Sequence, residues 1–136
     1  MNLISCVDDG LGLRFNHRRQ SRDKMLAQHI LRRTGGEIWL HPDSAKLFAD
    51  WPDAVLHVIS DPEEVPEGAW CFWESPVSPA LRPEKILLYH WNRVYPADEL
   101  FVYPGGQDQW ECLESTDFSG FSHPKITEEV LIPKEV

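Results

Sequence analysis

Arg32-Arg33-Thr34-Gly35-Gly36-Glu37-Ile38-Trp39-Leu40-His41-Pro42-Asp43-Ser44-Ala45-Lys46-Leu47-Phe48 reads as a helix end, a stop, a short strand and a second helical start. Arginines suit the end of a helix, where the carbonyls carry negative partial charge. Paired glycines accept the left-handed backbone that closes a helix. Ile38-Trp39-Leu40 is a short apolar run of the buried-strand type. Asp43 or Ser44 then caps a helical stretch through Phe48. Upstream, Ala27, Ile30, Leu31 and Thr34 fall on one helical face. Ser21 is the expected N-cap of that helix, and Asp23 belongs in its first turn, near the positive end of the dipole.

Outward from this stretch the pattern alternates. Residues 3–7 form a short buried strand that ends at Asp8-Asp9-Gly10, and a long connection follows it. Residues 54–59 are a third strand, closed by the turn signal Ser60-Asp61-Pro62. Residues 69–73 are a fourth strand and residues 85–90 a fifth. Between them Pro76, Pro79 and Pro83 mark a loop with room for a turn of helix. Residues 100–103, 110–113 and 130–132 are shorter strand candidates, with a turn at Gly105-Gly106. A strand–helix–strand–helix–strand order favours parallel pairing, and a hairpin-like second half adds antiparallel strands. The expected fold is one α/β domain over residues 1–136. Its mixed sheet is parallel in the first half, ends in an antiparallel C-terminal hairpin, and is flanked by helices.

A chain of 136 residues with 42% hydrophobic content can bury one sizeable core. The three cysteines, Cys6, Cys71 and Cys112, are far apart and odd in number, so they indicate neither a zinc knuckle nor a disulfide framework. Cys6 and Cys71 sit in apolar runs and are expected as core thiols. The opening residues lack the basic flank of a signal peptide, and no apolar run approaches the roughly 20 residues of a membrane span. A soluble cytoplasmic protein is the expectation.

Charge is distributed unevenly. Net charge is −9, yet seven of the 13 basic residues lie within residues 14–33, where Asp23 is the single acid. A local basic island on an acidic body marks an anion-binding element. The overall charge argues against nucleic acid as a partner without excluding it, and it leaves room for a small phosphorylated ligand.

Several phrases carry a resemblance. "ISCVDDGLGLRFN", "RRTGGEIWLHPDSAKLF", "VLHVISDPEEVP" and "ADELFVYPGGQDQWECLESTDFSG" together resemble the dihydrofolate reductase fold over about two thirds of the chain. That resemblance implies an NADPH site and a pterin-binding carboxylate on the first helix, with Asp23 near that place. The departures fall on the cofactor. His41-Pro42-Asp43-Ser44 stands where the family places a Gly-Arg-Lys/His-Thr phrase, and residues 69–85 lack the family's later Gly-Gly pair. No cofactor is therefore expected. "FNHRRQSRD", "HWNRVYPAD" and "FSHPKITEEV" also resemble a family of short bacterial proteins, some of them labelled ribonuclease Z. The chemistry opposes that label, because a two-zinc hydrolase needs a His-x-His-x-Asp-His cluster that is missing here.

The candidate site follows from the island and the strand ends. Arg18, Arg19, Arg22 and Arg93 are expected to hold anionic charge, because guanidinium forks bind phosphate or carboxylate in bidentate fashion. A plain alternative is that these bases pair with the protein's own acids. Trp91 offers stacking and Asn92 amide bonding at the end of the fifth strand, or Trp91 instead caps the core. Asp8 faces the cleft or simply makes an Asp-Gly turn. His17 and Asp23 are the candidate catalytic residues, with His17 paired to His90 or His123 as acid and base. His57 is expected in the core, and His123 at the start of a short helix. The six histidines show no metal-ligand spacing, and no GxSxG, P-loop or Cys–His signature occurs.

The leading expectation is a reductase-like fold that binds a small anionic or nucleotide/pterin-like ligand. Three alternatives stand beside it: metal-independent phosphodiester cleavage of RNA, a salt-sensitive interaction module or homodimer, and an NADPH-dependent reductase.

Overall fold

A computed structural model describes residues 1–134 of the chain. Its main sheet has seven strands. In chain order these are β1 (Asn2–Val7), β4 (Glu37–Leu40), β5 (Val55–Val58), β6 (Trp70–Phe72), β7 (Lys85–His90), β9 (Trp110–Phe118) and β10 (Ile126–Pro133). The spatial order is β5-β4-β6-β1-β7-β10-β9. The pairs from β5 to β7 are parallel, and β10 runs antiparallel to both β7 and β9. The expected mixed sheet is therefore present. The hairpin is longer than its apolar segments suggested, because β9 exposes nearly every residue and carries no alternating apolar signal.

The centre of the sheet is buried on both faces. On β1, Ile4 faces the side of helix α1 (Lys24–Arg33), while Leu3 and Val7 face the opposite side. On β7, Leu87 and Tyr89 share the helical side, and Ile86 and Leu88 the other. Helix α1 contributes Leu26, Ala27, Ile30 and Leu31, joined by Phe48 from the 3₁₀ turn Lys46–Phe48 that follows the one-turn helix α2 (Pro42–Ala45). Ile30 is 1% exposed, so truncating it to Ala costs about 2–5 kcal/mol. Among the described residues no α-helix covers the opposite face. Val77, Leu81, Phe101 and Trp110 close it from loops and strand ends.

The cap of α1 corrects one expectation. Asp23, not Ser21, is the N-cap, with its side chain accepting from the N–H groups of Met25 and Leu26. A carboxylate accepts two diverging backbone donors better than a hydroxyl does. Gly35 and Gly36, at φ 69° and 83°, end the helix, and the Gly36 N–H returns to the Leu31 carbonyl at 2.8 Å. His41 caps α2, in place of Asp43 or Ser44.

The basic segment forms structure where a long connection was expected. Strands β2 (Gly12–Phe15) and β3 (Arg18–Arg19) make a tight hairpin, with Phe15 opposite Arg18. The two turn residues, Asn16 and His17, both have positive φ, 52° and 62°. That is the backbone of a two-residue hairpin turn whose twist matches its strands. A third strand, β8 (Glu99–Leu100), completes this small sheet.

Candidate functional site

The β2–β3 hairpin stands beside α1 and α2, and between them runs an open groove. Arg14, His17, Arg18, Arg19, Arg22 and Lys46 line it, opposed by Asp43, and its volume is about 770 Å³. The arginines differ in their partners. Arg19 makes a two-pronged ion pair with Glu74, at 2.9 and 3.0 Å, and also donates to the Asp43 carbonyl at 2.8 Å. Arg14 reaches Ser75 and Glu99. Arg18 and Arg22 are exposed, and among the described residues neither has a carboxylate within ion-pair distance. A cation without an acidic partner keeps its capacity for an external anion.

A second space opens from the same wall. It is small, about 30 Å³, and lies between α1 and the ends of β1, β6 and β7. Leu26, Ile30, Phe48, Phe72 and Trp91 make it predominantly apolar, and Glu74 and Cys6 add polar atoms. Arg19, Ser21 and Arg22 line both this cavity and the groove. Burial and the nearby Glu74 charge push the Cys6 thiol well above its ordinary pKa, against the weaker pull of Arg19. Cys6 is therefore a neutral wall group rather than a nucleophile. Ser44 donates to Glu74 at 2.6 Å, which fixes the carboxylate against Arg19. Among the described residues no group of three or more His, Cys, Asp and Glu is placed to hold a metal ion.

The named candidates separate into two sets. Arg18, Arg19, Arg22 and His17 meet in the groove, and Trp91, 4% exposed, lines the cavity. Arg93 lines neither space: its side chain is exposed and its carbonyl accepts from the Asp9 N–H. Asn92 turns away to donate to the Lys125 carbonyl and Thr127 Oγ1, with its backbone at φ 59°.

Asp8 does turn chemistry. One oxygen accepts from the N–H groups of Gly10 and Gly12, the other from Tyr95 N–H. Burial opposes its ionisation, but those bonds outweigh it and hold its pKa below the usual value.

Asp23 has a structural assignment that sequence reading missed. Besides the helix cap, it accepts from the N–H groups of Phe121 and Ser122, from Ser122 Oγ and from His123 Nδ1. Burial pushes its pKa up, and these bonds, with Phe121 foremost, outweigh burial and hold it well below the carboxylate range. Both oxygens are engaged by the protein, which leaves no free edge for a ring N–H.

Two histidine expectations are corrected. His123 starts no helix; it is buried against Trp91 and Asp23 in the loop between β9 and β10. His57 is not in the core. It lies on edge strand β5, stacks on Trp39 and meets Glu37 at 3.1 Å. His90 pairs with Glu129, while His17 stands on the hairpin turn. Glu74 and Ser21 were not named as site residues, and His123 was named only as a partner for His17. Their partners lie 28 to 102 residues away, and no local pattern encodes that.

Comparison with known proteins bears on the architecture. No protein-family model matches the chain, and no curated protein matches it, so the likeness to proteins labelled ribonuclease Z gains no support. Among solved structures, the chain is similar to a dihydrofolate reductase from Enterococcus faecalis complexed with NADP(H) and RAB-propyl. The TM-score is 0.64 over 98% of this chain and 96% of that one, at 9% sequence identity. No helix among the described residues is long and apolar enough to cross a membrane. At that identity the likeness concerns architecture alone, and the chain has the dihydrofolate reductase fold.

Proposed function

We propose that this chain binds a small amphipathic anion, a nucleotide- or pterin-like molecule, in the basic groove, with its ring against the apolar mouth of the adjoining cavity. One observation carries the reading: an apolar cavity and a basic groove share Arg19, Ser21 and Arg22 as a common wall. A groove of about 770 Å³ suits a small ligand, and a few convergent polar groups orient it. Trp91, Phe48 and Phe72 supply apolar and aromatic surface. Arg18 and Arg22 supply charge without an internal acid to release first.

The dinucleotide that the fold family implies does not fit these residues. At the end of β4, where the fold family's phosphate-binding phrase falls, Ser44 Oγ is bonded to Glu74 and is not free to hold a phosphate. After β6, residues 74–84 form no helix whose N-terminus could receive a phosphate. The reading is therefore binding of a small ligand, with the NADPH site lost.

A thermal-shift panel of nucleotides, pterins and phosphorylated metabolites tests this. A ligand at 100 times its Kd adds about 2.7 kcal/mol, or roughly 8–13 °C for a domain of this size. Arg22→Ala is expected to remove most of that shift while leaving the ligand-free melt within about 0.5 kcal/mol of wild type. A panel in which no compound moves the melting temperature contradicts the proposal.

A further inference from the structure

Ser21, His123 and Asp23 form a connected line at the cavity wall. Ser21 Oγ lies 3.0 Å from His123 Nε2, and His123 Nδ1 lies 2.9 Å from Asp23 Oδ2. Ser21 and Asp23 share the short connection between β3 and α1, and His123 comes from the loop between β9 and β10. The histidine and aspartate side chains are 3% and 0% exposed, so water does not loosen the pair. The loop is fixed by the Gly120 N–H to His123 carbonyl bond at 2.9 Å and by the Phe121 and Ser122 N–H bonds to Asp23.

The arrangement sets the proton inventory. A carboxylate only accepts, so Nδ1 carries the imidazole proton and Nε2 presents its lone pair to Ser21 Oγ–H. Tyr95 Oη stands 3.2 Å from the same nitrogen, but Tyr95 lines neither the cavity nor the groove, whereas Ser21 lines both. The accessible hydroxyl is the serine's. Nucleophile, base and orienting acid are recognised by geometry and role, whatever their order in the chain.

We infer that Ser21, His123 and Asp23 are an acyl-transfer relay that hydrolyses a carboxylic ester whose acetyl-sized acyl group enters the cavity and whose anionic part lies in the groove. This rests on the reading of the cavity and groove as a ligand site. Ser21 Oγ attacks the ester carbonyl carbon, and His123 Nε2 takes the hydroxyl proton. The carbonyl electron pair moves onto oxygen, and Arg22, which lines the same cavity, is the cation available to that charge. Collapse re-forms the carbonyl and breaks the bond to the leaving oxygen, which takes the proton from His123. Water then attacks the acyl-serine with His123 again as base, releasing the carboxylic acid and restoring Ser21. Asp23 is a positioning residue: it holds the imidazole tautomer and stabilises the imidazolium.

The experiment uses the wild-type chain with a fluorophosphonate probe and p-nitrophenyl acetate. Stoichiometric labelling that maps to Ser21 by peptide mass spectrometry is expected, with ester hydrolysis about 10²-fold or more above Ser21→Ala. Asp23→Asn is expected to move the acid limb of the pH–rate profile to lower pH, because the imidazolium loses its carboxylate. An unchanged limb overturns the role of Asp23. Absence of labelling at Ser21 overturns the relay. So does hydrolysis by Ser21→Ala within twofold of wild type when both variants melt at the same temperature. A nucleotide or pterin that stabilises the unlabelled protein, with no reaction at Ser21, leaves the binding proposal standing and removes this one.

Discussion

Glu128 offers a stringent test of how α1 is held to the sheet. It lies on β10, 3% exposed, and accepts from Tyr89 Oη at 2.6 Å, His29 Nε2 at 2.8 Å, and Arg33 Nη2 and Nε at 3.0 and 3.2 Å. Burial acts to raise its pKa. The bonds from His29 and Tyr89 and the charge of Arg33 outweigh burial and hold it at about 2, against 4.5 ordinarily. A carboxyl depressed on folding stabilises the native state above its unfolded pKa, and that stability is lost as pH falls through the folded value. At about 1.36 kcal/mol per pKa step, the effect is about 3 kcal/mol at neutral pH. Glu128→Gln keeps the size and one acceptor but removes the charge, leaving Arg33 and His29 without their buried partner. Urea denaturation at pH 7 should place the variant about 3 kcal/mol below wild type. At pH 3, within one step of the folded pKa, the gap should narrow to about 1–1.5 kcal/mol. A gap below about 1 kcal/mol at pH 7, or one that does not change between the two pH values, refutes the reasoning.

Other perturbations reach the site elements. His17 sits at φ 62° on the hairpin turn. His17→Gly should raise stability by about 0.5–1 kcal/mol in urea melts, the roughly 1–2 kcal/mol left-handed penalty less the entropy of glycine. A loss above about 1 kcal/mol contradicts the turn assignment. A Cβ at Gly120 would stand 2.7 Å from Asp23 Oδ2 and 2.8 Å from the His123 carbonyl. Gly120→Ala should therefore cost about 1–3 kcal/mol and slow labelling of Ser21, and a variant that melts and labels like wild type removes the tight loop packing. Asp23→Ala strips six donors of their acceptor. It should cost about 3 kcal/mol or more, well above the roughly 1 kcal/mol of an ordinary N-cap loss, and a cost no greater than the cap alone would mean that the loop does not depend on Asp23.

The sheet was legible because its central strands are short apolar runs closed by turn residues. Leu3, Ile4 and Val7 on β1, and residues 86–89 on β7, are buried on both faces and leave no ambiguity of period. The β2–β3 hairpin was not legible. Its turn is Asn-His rather than Asn-Gly, and β3 is only two arginines, so neither the turn nor the second strand gave a signal. The groove was partly legible, since clustered arginines are visible in sequence whatever their backbone does. Their fates were not: Arg19 pairs with Glu74, 55 residues away, while Arg22 pairs with no described acid. Asp23 and His123 illustrate the same limit. One looked like a ligand and the other like a helix start, and only the fold brings them together across 100 residues.

The claim that cavity and groove form one ligand site is most directly tested by nuclear magnetic resonance. Protein labelled at leucine and isoleucine methyls and at arginine side-chain nitrogens is titrated with a pterin carboxylate and a nucleoside monophosphate. The account predicts that, for at least one of the two compounds, the methyls of Leu26 and Ile30 and the guanidinium signals of Arg19 and Arg22 move together along one saturation curve. Guanidinium signals that shift while the cavity methyls stay still, or no saturable shift with either compound, would contradict it.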